Sequence, residues 1–396
     1  MGGPPLVALL SFPLRPNTFP GEFPQLSDPS APECWQSRAK KESQVYPISP
    51  RFASHGRELA EWLGLLAAKG ILDLVLVNDE GVAKLPTDIL RCASLQRLFL
   101  GFFTFPDTAA LSRGVLGPHT VHGHLCLRAS VLPRLQELGM FACSISEWDL
   151  LYMLDCSPVL EKLTFVFSGT PDAFHLRCKS LRCVVFLLEA PRRGDDRSIV
   201  MIKIACVPNL RALGFLEPRF HRLQIGDNNI NPGTVPSPST VVPSVNILAL
   251  KVNFGVLRDV KMTVAYLGCF PNIDTLHIEL NALEKTMPSS GRSSLVECIK
   301  SHLKKMVFHK YRGKRSELEF LKFISRKAQE LQTLYVLLNR QSLTSVSKQA
   351  EMTSKLVDLS EVAWSCDCKI MVLGPEIQSN WSIQKASDLT VDDPFH

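Results

Sequence analysis

The sequence predicts an α/β solenoid, a curved parallel sheet with helices and turns on its convex side, on three observations. A phrase of the form L-x-x-L-x-L recurs ten times over the 396 residues, beginning at Ile71, Leu95, Leu135, Leu160, Leu181, Leu210, Val245, Ile273, Leu303 and Leu331. Five of these anchors have a proline two residues earlier, at Pro133, Pro158, Pro208, Pro243 and Pro271, where it ends the preceding element and starts the strand. The segments in between carry helix or turn signals rather than further strands of the same kind. Self-similarity at about 20–29 residues marks leucine-rich repeats, each a strand plus a helix or turn. One such repeat cannot bury its apolar edge alone; stacking adds every strand to a parallel sheet and sets the leucines in a continuous ladder behind it.

Taken in order, residues 1–54 hold ten of the 27 prolines and show no apolar periodicity, which predicts a disordered, Pro-rich segment. The apolar stretch Leu6 to Leu10 is too short, and lacks the basic flank, to be a signal peptide. No run of about 18 apolar residues predicts a membrane span. Twelve cysteines lie singly in hydrophobic stretches and are expected to be buried thiols of a cytoplasmic and/or nuclear protein. The array is expected over 55–285. It opens with a helix carrying Leu59, Trp62, Leu63 and Leu66 and closed by Gly70, and Ile71 starts the first strand. Ser146-Glu147-Trp148-Asp149, ahead of Leu150, Leu151 and Leu154, predicts a capped convex-side helix. Surplus residues 117–130 predict an extruded loop, and 226–240, with Gly226, Pro232, Gly233, Pro236 and Pro238, a second one. A further unit over 286–375 is expected to cap the open edge of the array, followed by a tail, 376–396.

Signatures of catalysis are missing from the sequence: it contains no G-x-S-x-G, no G-x-x-x-x-G-K-[ST] and no G-x-G-x-x-G. The expectation is therefore a binding protein, not an enzyme, without catalytic residues or a cofactor. His119, His122, His124 and Cys126 offer four donors, but in none of the spacings that zinc sites use, and no metal site is expected. Cys366 and Cys368 read as a coincidence at a strand edge, and the carboxylate pairs Asp195-Asp196 and Asp392-Asp393 as solvent-facing.

The formal net charge is +6, yet residues 297–327 alone hold ten Lys/Arg against three Asp/Glu. Lys304, Lys305, Lys310, Arg312, Lys314 and Arg315, interleaved with His309 and Tyr311, could serve a phosphate backbone. Ser316 and Glu319 instead read as a capping box opening a helix whose Leu318, Leu321, Ile324, Ala328 and Leu331 face inward. The charges then fall on its loop and solvent face, so nucleic acid is not the expected partner and an acidic protein surface fits better. In each strand the residues between the inward leucines project from the concave face, the default binding surface of a solenoid. By register these are Arg97, Phe99, Glu137, Lys162, Thr164, Thr275, His277, Lys305, Thr333 and Tyr335. Reversing Arg97, Lys162 and Lys305 to Glu is expected to weaken partner capture and leave folding intact.

Three stretches give the sequence a family resemblance. The first covers 57–77 with Trp62-Leu63, Leu66-Ala67-Ala68-Lys69-Gly70 and the following strand, then Leu90-Arg91-Cys92-Ala93-Ser94-Leu95. The second is Cys156-Ser157-Pro158-Val159-Leu160-Glu161-Lys162-Leu163. In the third, Glu297-Cys298-Ile299-Lys300-Ser301-His302-Leu303-Lys304-Lys305-Met306-Val307-Phe308 leads to Tyr311-Arg312-Gly313 and Ser316-Glu317-Leu318-Glu319-Phe320-Leu321, and the tail follows with Trp364, Trp381-Ser382 and Asp393-Pro394-Phe395. Together these resemble the plant F-box/leucine-rich-repeat proteins of the FBD-domain group, the grass type, with 286–375 as the FBD-like unit. The resemblance implies a substrate-recognition subunit of a Skp-cullin-F-box ubiquitin ligase, with a protein substrate on the repeats and a Skp-type adaptor at the F-box. Residues 1–54 carry no Leu-Pro-rich amphipathic helices and no Arg-Trp pair of the F-box kind. The alternative is a non-catalytic interaction scaffold that has lost the F-box.

Overall fold

The structure is a computed structural model that describes residues 7–10, 56–78, 82–108, 131–166, 171–187, 199–253, 256–280, 302–339, 351–355, 357, 367–374 and 393–395. These fall into two compact units, one lying mainly within 1–182 and the other mainly within 192–396. The expected loop at 117–130, with His119, His122, His124 and Cys126, lies outside the described residues, as do Asp195-Asp196 and Cys366.

In the first unit the chain runs β1 (Val7–Leu10), α1 (Gly56–Ala68), β2 (Asp73–Val77), β3 (Ala83–Lys84), a 3₁₀ turn (Thr87–Arg91), β4 (Arg97–Gly101), β5 (Phe103–Thr104), β6 (Glu137–Phe141), α2 (Glu147–Cys156), β7 (Lys162–Val166) and β8 (Ala173–Leu176). Strands β1, β2, β4, β6 and β7 form one sheet in that order, with parallel neighbours in unbroken register. The other elements return the chain on the far side, where β3 and β5 pair in parallel. β1 falls inside the segment expected to be disordered; β2 would otherwise present a row of unpaired backbone groups, and these four residues take it up.

The second unit contains β9 (Cys183–Leu187), β10 (Val200–Ile204), β11 (Ala212–Leu216), β12 (His221–Ile225), β13 (Asn228–Asn229), β14 (Ile247–Val252), α3 (Leu257–Cys269), β15 (Thr275–Leu280), β16 (Lys305–Tyr311), α4 (Arg315–Lys327), β17 (Thr333–Leu338) and β18 (Lys369–Leu373). Its main sheet is parallel throughout, in the order β9-β11-β14-β15-β16-β17-β18. On the far side β10 and β12 pair in parallel, and β12 turns back on β13.

Each of the ten anchors lies two residues ahead of the first residue of a main strand, and each is at most 4% exposed. The prolines act as the spacing suggests. In the turns at 132–135, 157–160, 207–210 and 242–245 the anchor N–H donates to the carbonyl three residues earlier, at 3.1 to 3.3 Å, with Pro second in the turn. That position suits the fixed φ of proline and needs no N–H. A second device repeats with the strands. The first strand residue and the one before it both donate to a single carbonyl of the preceding repeat, as Gln136 and Glu137 do to Gln96 at 2.7 and 3.0 Å. Asp274 and Thr275 do the same to Asn246, and Lys304 and Lys305 to Asp274.

Two local expectations need correction. Residues 226–240 are not a plain loop, because β12 and β13 close a hairpin with Gly226 at φ 55° in its turn, the left-handed region that glycine enters without a Cβ clash. Helix α4 starts earlier than Ser316: its N-cap is Lys314, and the buried Glu317 carboxylate accepts from the N–H groups of Lys314 at 3.0 Å and Arg312 at 2.9 Å. Its inward face is consequently led by Phe320, Leu321, Phe323 and Ile324, while Leu318 is not among its buried residues. β18 begins directly after Cys368, where the sequence placed a strand edge, although its stretch lacks the six-residue phrase.

Candidate interaction surface

Side chains at the first, third and fifth positions of each main strand share the face opposite the leucine ladder, by the two-residue period of a strand. In the first unit the first positions align Asp73, Arg97, Glu137 and Lys162, four charges of alternating sign in neighbouring strands. Arg97 grips Asp73 with two prongs, Nε at 2.6 Å from Oδ1 and Nη2 on Oδ2. Lys162 Nζ lies 3.9 Å from Glu137 Oε1, both side chains buried. The third positions align Val75, Phe99, Gly139 and Thr164. A Cβ on Gly139 would stand 2.3 Å from Phe99 Cδ1, so the missing side chain is the space that the Phe99 ring fills.

In the second unit the first positions run Ile247, Thr275, Lys305, Thr333 and Lys369, and the third positions Ala249, His277, Val307, Tyr335 and Met371. Lys251, Glu279 and His309 follow at the fifth. The Lys305 ammonium stands 5.3 Å over the Tyr335 ring, a cation–π contact. Lys310 Nζ reaches Glu279 at 3.0 Å and Arg315 pairs with Glu319 at the surface, so part of the basic run is matched by acids of the same chain.

The ten residues expected on this face all occupy the expected register, but their exposure differs from a solvent-facing row. Arg97, Lys305, Thr333 and Tyr335 are partly open, whereas Phe99, Glu137, Lys162, Thr164, Thr275 and His277 are buried. Strands about 4.8 Å apart set equivalent side chains against each other, so long neighbours shield one another. Lys162 is therefore not a residue whose charge can be reversed with folding left intact, because a glutamate in its place would be a second buried carboxylate beside Glu137.

A group of residues missed by the sequence reading meets on the same face of the second unit. Asp393, expected to face solvent, sits between two strands: its carboxylate lies 2.9 Å from His277 Nε2 and 2.7 Å from Lys305 Nζ. Burial by itself would raise this carboxyl, but the hydrogen bonds and charges of His277 and Lys305 outweigh it and hold Asp393 well below the usual carboxylate range. His277 Nδ1 is 2.9 Å from His309 Nε2. Phe395, 3% exposed, packs edge-on to Phe215 with ring centres 5.4 Å apart, and against His277 at 5.5 Å. Phe215 reaches this face because β11 holds one residue more than β14 between the pairs Leu213↔Leu248 and Leu216↔Leu250. Only the Pro394 between an acid and an aromatic residue hinted at a formed turn; the polar partners of Asp393 lie 88 and 116 residues away.

Among the described residues no cluster of three or more His, Cys, Asp or Glu is placed to hold a metal ion, and no helix is long and apolar enough to cross a membrane. The described cysteines are free thiols, mostly buried; burial pushes Cys92 and Cys143 up to about 11. The surface offers charge, aromatic faces and hydrogen-bonding groups in a repeating frame, which suits recognition of a macromolecule.

Comparison with known families agrees with the ladder. The family model described as "FBD-associated F-box protein At5g56370, LRR repeats" matches residues 59–195 and 185–278, more than half of the chain. The FBD family model matches residues 291–336, which include β16 and α4. No curated protein matches the chain. With its leucine ladder, its parallel main strands and these two matches, the chain belongs to the leucine-rich-repeat family of FBD-associated F-box proteins, a protein-interaction module that carries an FBD domain after its repeats.

Proposed function

We propose that the chain is the substrate-recognition subunit of a Skp-cullin-F-box ubiquitin ligase, holding a protein substrate on the concave face of its repeats in the cytoplasm or nucleus. Ubiquitin transfer belongs to other subunits, and this chain contributes no catalytic step. Family membership supports the reading. The observation that carries the binding face is the row of partly open Lys305, Thr333 and Tyr335 beside exposed Lys369 in adjoining strands. Such a row of cations and an aromatic face suits an acidic protein segment. In the first unit Arg97 is the open member, and the buried members of both rows position the open ones.

Two experiments test this. The full chain is expected to co-purify with a Skp-type adaptor, and removal of residues 1–54 to abolish that association. Substrate captured by proximity labelling is expected to fall about tenfold for the double variant Tyr335→Ala, Lys369→Glu, as loss of one aromatic and one charged contact implies. The second reading is a non-catalytic interaction scaffold outside any ligase. Retained substrate capture with no adaptor in the complex selects it.

A further inference from the structure

The three residues Asp393, Pro394 and Phe395 lie against strands of the second unit as a bound peptide would. The segment is pre-shaped: the Phe395 N–H donates to its own Asp393 Oδ1 at 3.2 Å, a local Asx turn whose middle residue is proline. Its two informative side chains enter different surroundings. The carboxylate meets a cation and an imidazole, Lys305 and His277, and the ring enters an aromatic slot between Phe215 and His277. His309 closes the slot from behind, 2.9 Å from His277 and edge-on to Phe215 at 5.4 Å. Three strands that are distant in sequence, β11, β15 and β16, thus supply one pocket for an acid and an aromatic residue two positions apart.

We infer that this pocket is a docking site for an acidic-X-aromatic segment of a protein partner, and that Asp393-Pro394-Phe395 is its resident intramolecular occupant. The inference rests on the concave face being the partner-binding surface and names the chemistry that surface selects. An occupant on the same chain competes at an effective concentration on the order of millimolar, so a partner segment binds weakly until it displaces the tail. The carboxylate and the ring are both needed, because an aromatic residue alone leaves Lys305 without its anion and an acid alone leaves the slot empty.

The probe is a fluorescently labelled peptide of the chain's last seven residues, Thr390 to His396. Its anisotropy is expected to report binding at least about tenfold tighter to a chain lacking residues 393–396 than to the full chain. The same peptide carrying Asp393→Asn and Phe395→Ala should not bind, and Phe215→Ala in the shortened chain should abolish binding. A shortened chain that keeps its circular dichroism and melting transition yet binds the peptide no better than the full chain overturns the proposal. Should the shortened chain fail to fold, the intact chain decides: about 1 mM of the unlabelled peptide made as its C-terminal amide, which carboxypeptidase does not cleave, should accelerate carboxypeptidase release of Phe395 from the chain roughly threefold or more, and the doubly substituted amide should not. Equal release with and without peptide overturns the proposal. Adaptor co-purification does not depend on the tail, so failure of the ligase reading and failure of this pocket are separate outcomes.

Discussion

At the scale of single residues, the main sheets and the elements behind them depend on side chains that are absent or uncharged as much as on those that reach out. Gly139 is the case of absence. Its substitution by Ala forces the Phe99 ring out of its place, and we expect Gly139→Ala to lower stability by about 1–3 kcal/mol in urea unfolding. Combining it with Phe99→Ala should make the two losses less than additive, because the clash disappears with the ring. His221 is the case of a missing charge. Fully buried in β12, its Nδ1 accepts from the Glu217 N–H at 2.9 Å. Burial first, then the charges of Lys251 and Arg222, lower it from 6.5 to about 3. Between those values the unfolded chain takes up a proton that the folded chain refuses. The contribution is therefore fully present above pH 6.5 and is lost as pH falls towards 3, with a slope of at most about 1.4 kcal/mol per pH unit. Denaturant melts from neutral to mildly acid pH should show a shallower acid slope for His221→Asn than for the wild type. Lys162 completes the set: Lys162→Glu is expected to cost about 3 kcal/mol or more, read as a lower urea midpoint, because it leaves Glu137 buried beside a like charge.

At the scale of elements, signals confined to a few neighbouring residues were legible and those needing a partner strand were not. Ser146 caps α2 as its spacing implies: its Oγ accepts from the Asp149 N–H at 3.1 Å and donates to the Asp149 carboxylate at 2.5 Å. Asp149 also receives the N–H and hydroxyl of Thr108, each at 2.7 Å, a bond across 41 residues that no local pattern encodes. Ser146→Ala is expected to cost about 1 kcal/mol, measured by thermal unfolding. The cap of α4 lies two residues earlier than expected because Ser316 and Glu319 also fit the pattern, and the choice fell to Glu317, whose carboxylate is buried where Arg312 and Lys314 present their N–H groups. The extra residue in β11 escaped the sequence for a related reason. Leu213-Gly214-Phe215-Leu216 reads as a regular strand, and only its pairing with β14 turns Phe215 to the concave face.

At the scale of the molecule, the leucine ladder is the organising interaction in both units. Leu98, Leu138 and Leu163 stand in register in the first unit, and Leu248, Leu276, Met306 and Leu334 in the second, each at most 1% exposed. In a stack of repeats each layer touches only its neighbours, so damage is expected to stay local before it spreads. Leu163→Ala should cost about 2–5 kcal/mol, and hydrogen exchange should show the earliest loss of protection in β6 and β7. Exchange rising evenly over every main strand of the first unit would contradict a layered core.

The repeat, the anchors, the parallel strands and the concave register of the ten named residues can be read from the amino acids alone, because period-two alternation and a recurring turn are local properties of the chain. Tertiary structure alone decided which of those residues stay open and what lies against them. Exposure depends on neighbours across the sheet, so the alternating charges of the first unit close on one another and His277 is covered by Asp393 and Phe395 from 116 and 118 residues further along the chain. A contact of that range leaves no periodic trace, since nothing near His277 in the sequence has to change for it to form.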